Sequence, residues 1–194
     1  MLKRRNFIKE TSKITAAASS TFLFPHLVNA TSTPINDSLN FVGPKKGYTP
    51  QIGTLVSMMN WMRETILWPV RDMSIKELDY LIDNNANSIG AMLLHLAATE
   101  RFYQLNTFDG RKWGDWPKKD DEMYSVAMSL GNRGRKKIKG NPLDFYLEKL
   151  MTVRENSLKE LAKRDDEWLL KIDPNWGWSH PTNNYCKWFH VVEH

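Results

Sequence analysis

Cysteine is almost missing from this chain. Cys186 stands alone among 194 residues, so no internal disulfide can close and no Cys-x-x-Cys pair exists. Its place beside aromatic residues in a helical stretch points to ordinary packing rather than to a nucleophile. Gly-rich nucleotide-binding loops, a Gly-x-Ser-x-Gly elbow and a His-Glu-x-x-His helix are absent too, which leaves no sign of nicotinamide, flavin or ATP chemistry. There is no segment of convincing strand period and no internal repeat. An excess of basic charge in the body is also lacking, although the isoelectric point of about 9.2 suggests otherwise. Residues 1–30 carry Lys3, Arg4, Arg5, Lys9 and Lys13 against Glu10, a net +4 out of the chain's +5, and the remainder keeps only +1. A nearly neutral body argues against nucleic acid as a partner.

What is present is enough apolar material for one packed domain with appendages. Hydrophobic residues make up 41% of the chain, with eight Trp, nine Met and eight Phe. The first thirty residues have the layout of an export signal: a basic start, an apolar stretch around Ile14 to Leu27, and the small-residue end Val28-Asn29-Ala30. Ser19, Ser20 and Pro25 interrupt that stretch and make it a poor membrane span. Lys3-Arg4-Arg5-Asn6-Phe7-Ile8-Lys9 resembles the twin-arginine consensus, departing from it at Lys3 and Ile8. Cleavage is expected after Ala30. The mature protein would then be periplasmic or secreted, exported already folded, with no stable membrane span. His26 leaves with the signal.

Residues 31–47 are rich in Thr, Ser, Asn, Pro and Gly and read as a linker. The body, 48–194, reads as all-α. Thr49-Pro50 opens a helix whose stripe is Ile52, Leu55, Val56, Met59, Met62 and Ile66, ended or kinked by Pro69. A short turn follows from Ser74 to Ile82. Asn87-Ser88 caps a second long helix through Met92, Leu93, Leu96, Phe102 and Tyr103. Residues 106–140 read as a long irregular connection, with a helical turn near Tyr124 to Leu130 and a solvated basic loop from Arg133 to Lys139. Asn141-Pro142 caps a third helix with the stripe Leu147, Leu150, Met151, Leu158 and Leu161, running to about Ala162. Another turn is expected over Glu167 to Ile172. A Trp- and Gly-rich loop, 173–184, leads to a fourth helix capped by Asn183-Asn184. Four amphipathic helices bury their stripes best as a bundle. The connection of about thirty-five residues between the second and third is too long for a hairpin and allows them to run parallel.

Four histidines remain in the body. His190 and His194 are one helical turn apart and share a face. His95 sits among apolar neighbours on the second long helix. Neutral imidazole is the commonest ligand for metals such as zinc, and three histidines from two helices would leave one coordination position open. His180 lies in the aromatic loop, which is placed to line a pocket mouth.

The stretch His95-Leu96-Ala97-Ala98-Thr99-Glu100-Arg101-Phe102-Tyr103 resembles the second-helix motif of the DinB-like family. The ending Trp188-Phe189-His190-Val191-Val192-Glu193-His194 resembles the start of its last-helix motif, and Arg154 to Leu161 fits its third helix. The likeness spans roughly residues 48–194. It implies a four-helix bundle with an up-down-down-up path and a divalent metal, zinc or nickel, held by one His of the second helix and two of the last. By this resemblance the ligands are His95 and His194. The third falls four residues beyond His194, so the sequence reads as a fragment ending inside the motif. The rival assignment takes His190 as the third ligand. Glu100 is the candidate second-shell group or general base. The expected activity is metal-dependent and hydrolase-like on a small-molecule substrate. The alternatives are a thiol transferase of the same family or a non-catalytic metal- or ligand-binding helical module. A homodimer is an option the resemblance allows.

Overall fold

Apolar residues recurring every three or four positions give the chain a mostly helical body, because that spacing lines one face of a helix. The computed structural model describes residues 38–174, 176–177 and 179–194. The signal-like segment 1–30 and residues 31–37 of the linker lie outside it. Among the described residues there are eight helices: α1 (Pro50–Val70), α2 (Ile75–Leu78), α3 (Ile89–Thr107), α4 (Lys118–Ser129), α5 (Gly131–Lys137), α6 (Leu143–Leu161), α7 (Asp166–Leu170) and α8 (Asn184–Glu193). Two short strands, β1 (Ile172–Asp173) and β2 (Thr182–Asn183), pair antiparallel, with Ile172 opposite Asn183. No helix among the described residues is long and apolar enough to cross a membrane.

Helix α3 is the central element. It buries residues on nearly every side, from Gly90 and Ala91 through Leu94, Ala97 and Ala98 to Phe102, Tyr103 and Leu105. It packs against α6, α4 and α8, whereas α1 packs against α8 and α7. The apolar core follows that division. One cluster joins Ala91, Leu94, Ala97 and Ala98 to Tyr124, Ala127, Tyr146, Leu150 and Val153. A second joins Ile52, Leu55, Val56 and Met59 of α1 to Leu161, Leu169 and Trp188, and a smaller third joins Phe102 and Tyr103 to Trp176. Where α3 and α6 approach, Gly90 is required by space: a Cβ there would sit 2.7 Å from the buried Tyr146 hydroxyl oxygen.

Several expectations change. The connection between α3 and α6 is not irregular. Tyr124 and Ala127 bury one face of α4 against α3, a single three-residue spacing too short to stand out in a charged sequence. The basic tract is helical as well, in α5. Arg135 donates to the carbonyl oxygens of Asn85 and Ala86, at 2.8 and 3.2 Å, and Ile138 is buried beneath it. Leu130, at φ 49°, makes the sharp break between the two helices. Met151, expected in an apolar stripe, faces outward at 57% exposure, as does Met92 of α3 at 44%. Their positions on the core face are taken by Leu94 on α3 and by Val153 and Ser157 on α6. The described end of the linker lies against α1: the Gly43 N–H donates to Ser57 Oγ at 3.0 Å. Cys186 is exposed rather than packed.

The helix starts divide into local and distant solutions. Ser88 caps α3, its Oγ accepting from the Ala91 N–H at 3.2 Å. Asn183 caps α8, its Oδ1 accepting from the Cys186 N–H at 2.8 Å. Ser74 and Glu77 form a capping box on α2. Pro142 begins α6 with no side-chain cap. Thr49 does not cap its own helix; its hydroxyl donates to the Asp166 carboxylate. That carboxylate, from α7, accepts the N–H groups of Gln51 at 3.1 Å and Ile52 at 3.3 Å. A charge at the positive end of α1 thus comes from a segment more than a hundred residues away. Asp166→Ala should therefore lower unfolding stability by about 1–2 kcal/mol, the usual range for losing a helix cap, read as a reduced urea midpoint with unchanged slope.

Candidate metal centre

Three histidines come near one another because two helices, α3 and α8, do. His95 projects from the middle of α3, and His190 and His194 from the last turn of α8. Trp188 is fully buried and anchors α8, which lets its far end reach α3. The Nε2 atoms of His95 and His194 lie 2.7 Å apart. The rings of His190 and His194 have their centres 4.8 Å apart. Ligand atoms of His190, Glu193 and His194 all fall within 4.8 Å of one another. His180 is exposed and stands apart from this group, its carbonyl accepting from the Thr182 hydroxyl at 3.1 Å.

Hydrogen bonds decide which nitrogens face the cluster. His95 Nδ1 lies 2.8 Å from the carbonyl oxygen of Ala127 on α4. A carbonyl can only accept, so Nδ1 carries the proton and Nε2 presents a lone pair toward His194. This is the arrangement that second-shell groups impose on metal-binding histidines. His194 Nε2–H then donates to His95. Tyr103 holds His190, with its hydroxyl 2.7 Å from Nδ1. Burial pushes the Tyr103 phenol well above its ordinary value, with smaller contributions from Cys186 and Glu193, so it stays neutral and can donate or accept. The His190 tautomer is thus adjustable where that of His95 is set. Nε2 of His190 lies 3.5 Å from Glu193 Oε1.

The donor set fits a divalent cation of the zinc type: imidazole nitrogens with one carboxylate beside them. Two nitrogens on a tetrahedral zinc stand about 3.3 Å apart, so the His95–His194 pair would open by a few tenths of an ångström to admit it. His194 would have to carry its proton on Nδ1 to free Nε2. Burial, then His95 and His190, hold His194 below its ordinary value, which favours the neutral ring a metal needs; Glu193 works the other way.

Glu100, the candidate second-shell group or general base, lies inside the bundle between two arginines. It is 1% exposed, and both its carboxylate oxygens are taken by arginines. Arg63 of α1 donates to Oε2 at 2.8 Å. Arg154 of α6 donates to Oε1 at 2.8 Å and Oε2 at 3.1 Å. Each guanidinium also reaches across to a backbone carbonyl of the other's helix: Arg63 to Leu150 and Arg154 to Met59, both at 2.9 Å or less. Desolvation, then the neighbouring Arg154, lowers Arg63 to about 10, which leaves it charged at neutral pH. With both oxygens bonded to guanidinium groups of α1 and α6, the Glu100 carboxylate is a strut joining three helices. The strut lines one cleft together with His194, Val191 and Val192.

Sequence reasoning missed three contributors. Glu193 was passed over although it neighbours His194. Tyr103 had a signal, lying eight residues after His95 and so on nearly the same face of α3. Ala127 had none, since it acts through its backbone. The chain matches no known protein-family model and no curated protein.

Removing the Glu100 charge strands two buried guanidinium groups. Glu100→Gln should cost about 3–5 kcal/mol, as breaking buried ion pairs does; a loss below about 1 kcal/mol would show the network to be no stronger than a surface pair. His194 sets a pH dependence. Its proton affinity is lowered on folding, so the metal-free native state binds fewer protons than the unfolded chain near pH 6. Stability should fall as pH drops below the ordinary 6.5, and a ring titration followed by NMR should have its midpoint beneath that value.

Proposed function

We propose that this chain is an exported, DinB-like, metal-dependent enzyme with hydrolase-type chemistry on a small molecule. The observation that carries the reading is His95: its Nδ1 proton is committed to the Ala127 carbonyl, and its Nε2 lone pair faces His194 at 2.7 Å. On this reading α1, α3, α6 and α8 are the four helices of an up-down-down-up bundle, with α4 and α5 in the long connection. Support comes from α3 packing on α6 and α8, and α1 on α8. The export part rests on Arg4-Arg5 and their context, outside the described residues.

His95 and His194 are the ligands, and His190 is the adjustable neighbour. Bound zinc or nickel would supply Lewis acidity, lowering the pKa of a water or thiol toward neutrality. The chain's own groups do the rest. Tyr103 orients His190. Glu193, half-exposed beside the histidines, is the carboxylate available to take a proton. Glu100 keeps α1, α3 and α6 in register beneath them. The apolar residues Met59, Met62, Leu96, Val191 and Val192 around the cleft limit water on that side.

Metal content of the purified protein, measured after loading with zinc or nickel, tests the reading. His95→Ala and His194→Ala should each weaken metal binding by about a hundredfold or more, and His190→Ala by about tenfold at most. Equal loss in His190→Ala would shift the ligand assignment. Absence of binding in the unaltered chain would end the metal reading. Loaded protein that is inert toward ester, amide and thiol-transfer substrates would instead make it a binding module.

A further inference from the structure

The largest well-formed cleft near the last helix is not the one beside His194. It has a volume of about 380 Å³, within the range of small-molecule sites. The end of α3, the loop at 110–113, the end of α7, β1 and the start of α8 surround it. Its walls are indoles. Trp113 is 59% exposed, yet its ring is held edge-on against Phe102 at 4.2 Å and Trp176 at 5.3 Å. Trp168, also lining the cleft, stacks on Phe108 at 5.8 Å. An exposed but braced indole offers a flat apolar surface at little entropic cost to a ligand.

The charge in the cleft is one-sided. Four cations line it, Arg111, Lys112, Lys171 and Lys187, against one acid, Asp173. Two of them are compensated: Lys187 is buried and bound to Asp173 at 2.7 Å, and Arg111 meets Asp115 at 3.1 Å. Lys112 and Lys171 are exposed and form no ion pair among the described residues. Two uncompensated lysines therefore line the same cleft as the indoles, on a body whose net charge is only +1 once residues 1–30 are set aside. The positions of both are defined by backbone contacts. Asn106 donates to the Arg111 carbonyl at 2.8 Å, closing the loop that carries Lys112. The Lys171 N–H donates to the Trp168 carbonyl, and its own carbonyl accepts from Asn184.

We propose that this cleft binds a planar aromatic anion, its ring against Trp113 and its carboxylate or phosphate between Lys112 and Lys171. The fit is to a ring bearing an acidic group rather than to a neutral sugar, because Asn106, Asp173 and Asn184, the polar groups a sugar would use, already bind one another's elements. The site stands apart from the metal reading. Its inner wall touches that centre through Trp176, whose ring lies 5.8 Å from Tyr103, the residue holding His190.

Calorimetric titration of the protein stripped of metal with EDTA keeps the two readings separate. The probes are benzoate, phenyl phosphate, benzyl alcohol, acetate and glucose. Benzoate or phenyl phosphate should bind with Kd on the order of a millimolar or tighter, and whichever binds better identifies the acidic group. Benzyl alcohol and acetate should be at least about tenfold weaker, and salt at 0.5 M, an order-of-magnitude choice that shortens the Debye length, should weaken the anions selectively. Lys112→Gln with Lys171→Gln, both at the surface, should lower anion affinity about tenfold while leaving the unfolding midpoint unchanged. Trp113→Ala should abolish binding. The proposal is overturned if neither aromatic anion binds, if benzyl alcohol, acetate or glucose binds as well as they do, or if either set of substitutions leaves affinity intact.

Discussion

Helices α1, α3 and α6 meet on a single buried carboxylate. Glu100 takes Arg63 from one side and Arg154 from the other, and each arginine closes onto a main-chain carbonyl of the opposite helix. Charges at this depth are tolerated only when every partner is in place, since desolvation costs several kcal/mol per ion. The network therefore admits one relative placement of the three helices. Glu100 lies five residues after His95 on the same helix, so the setting that satisfies the arginines also sets the height of His95. The apolar clusters on either side supply the burial, and the ion network supplies the register.

The histidine cluster depends on that placement twice over. His95 owes its tautomer to a carbonyl of α4, and its partner to the far end of α8. α8 is held from below by Trp188, whose indole N–H donates to Thr107 at 3.1 Å, and by Lys187, which reaches Asn106 at 2.8 Å and lies 4.3 Å above Trp176. Fixing α8 at its base leaves its last turn half-exposed, where His190, Glu193 and His194 can meet an ion or a ligand. Buried scaffold and accessible donors are the combination that metal sites need.

Much of this was legible in advance. The helical class followed from apolar spacing, and starts at Ser88 and Asn183 followed from side chains able to cap nearby N–H groups. The pairing of His190 with His194 followed from one turn of helix. Less legible was the region between α3 and α6, where a charged sequence with five glycines concealed two helices: α4 buries little more than Tyr124 and Ala127, and α5 is held by Arg135 reaching another loop. Glu100 was visible as a residue but not as a role, because its partners lie 37 and 54 residues away.

The sequence by itself determined that the body is helical, where most of its helices begin, and that one helix carries His95 while another carries His190 and His194. Those are consequences of local period and local capping, which act within a few residues. Only the tertiary structure decided which histidines face each other, which nitrogen of His95 is free, and that Asp166 caps a helix formed by residues 50–70. Only it showed Glu100 as a strut between Arg63 and Arg154. Each of these depends on a hydrogen bond between segments far apart in the chain, and no pattern in the sequence records the distance across a fold.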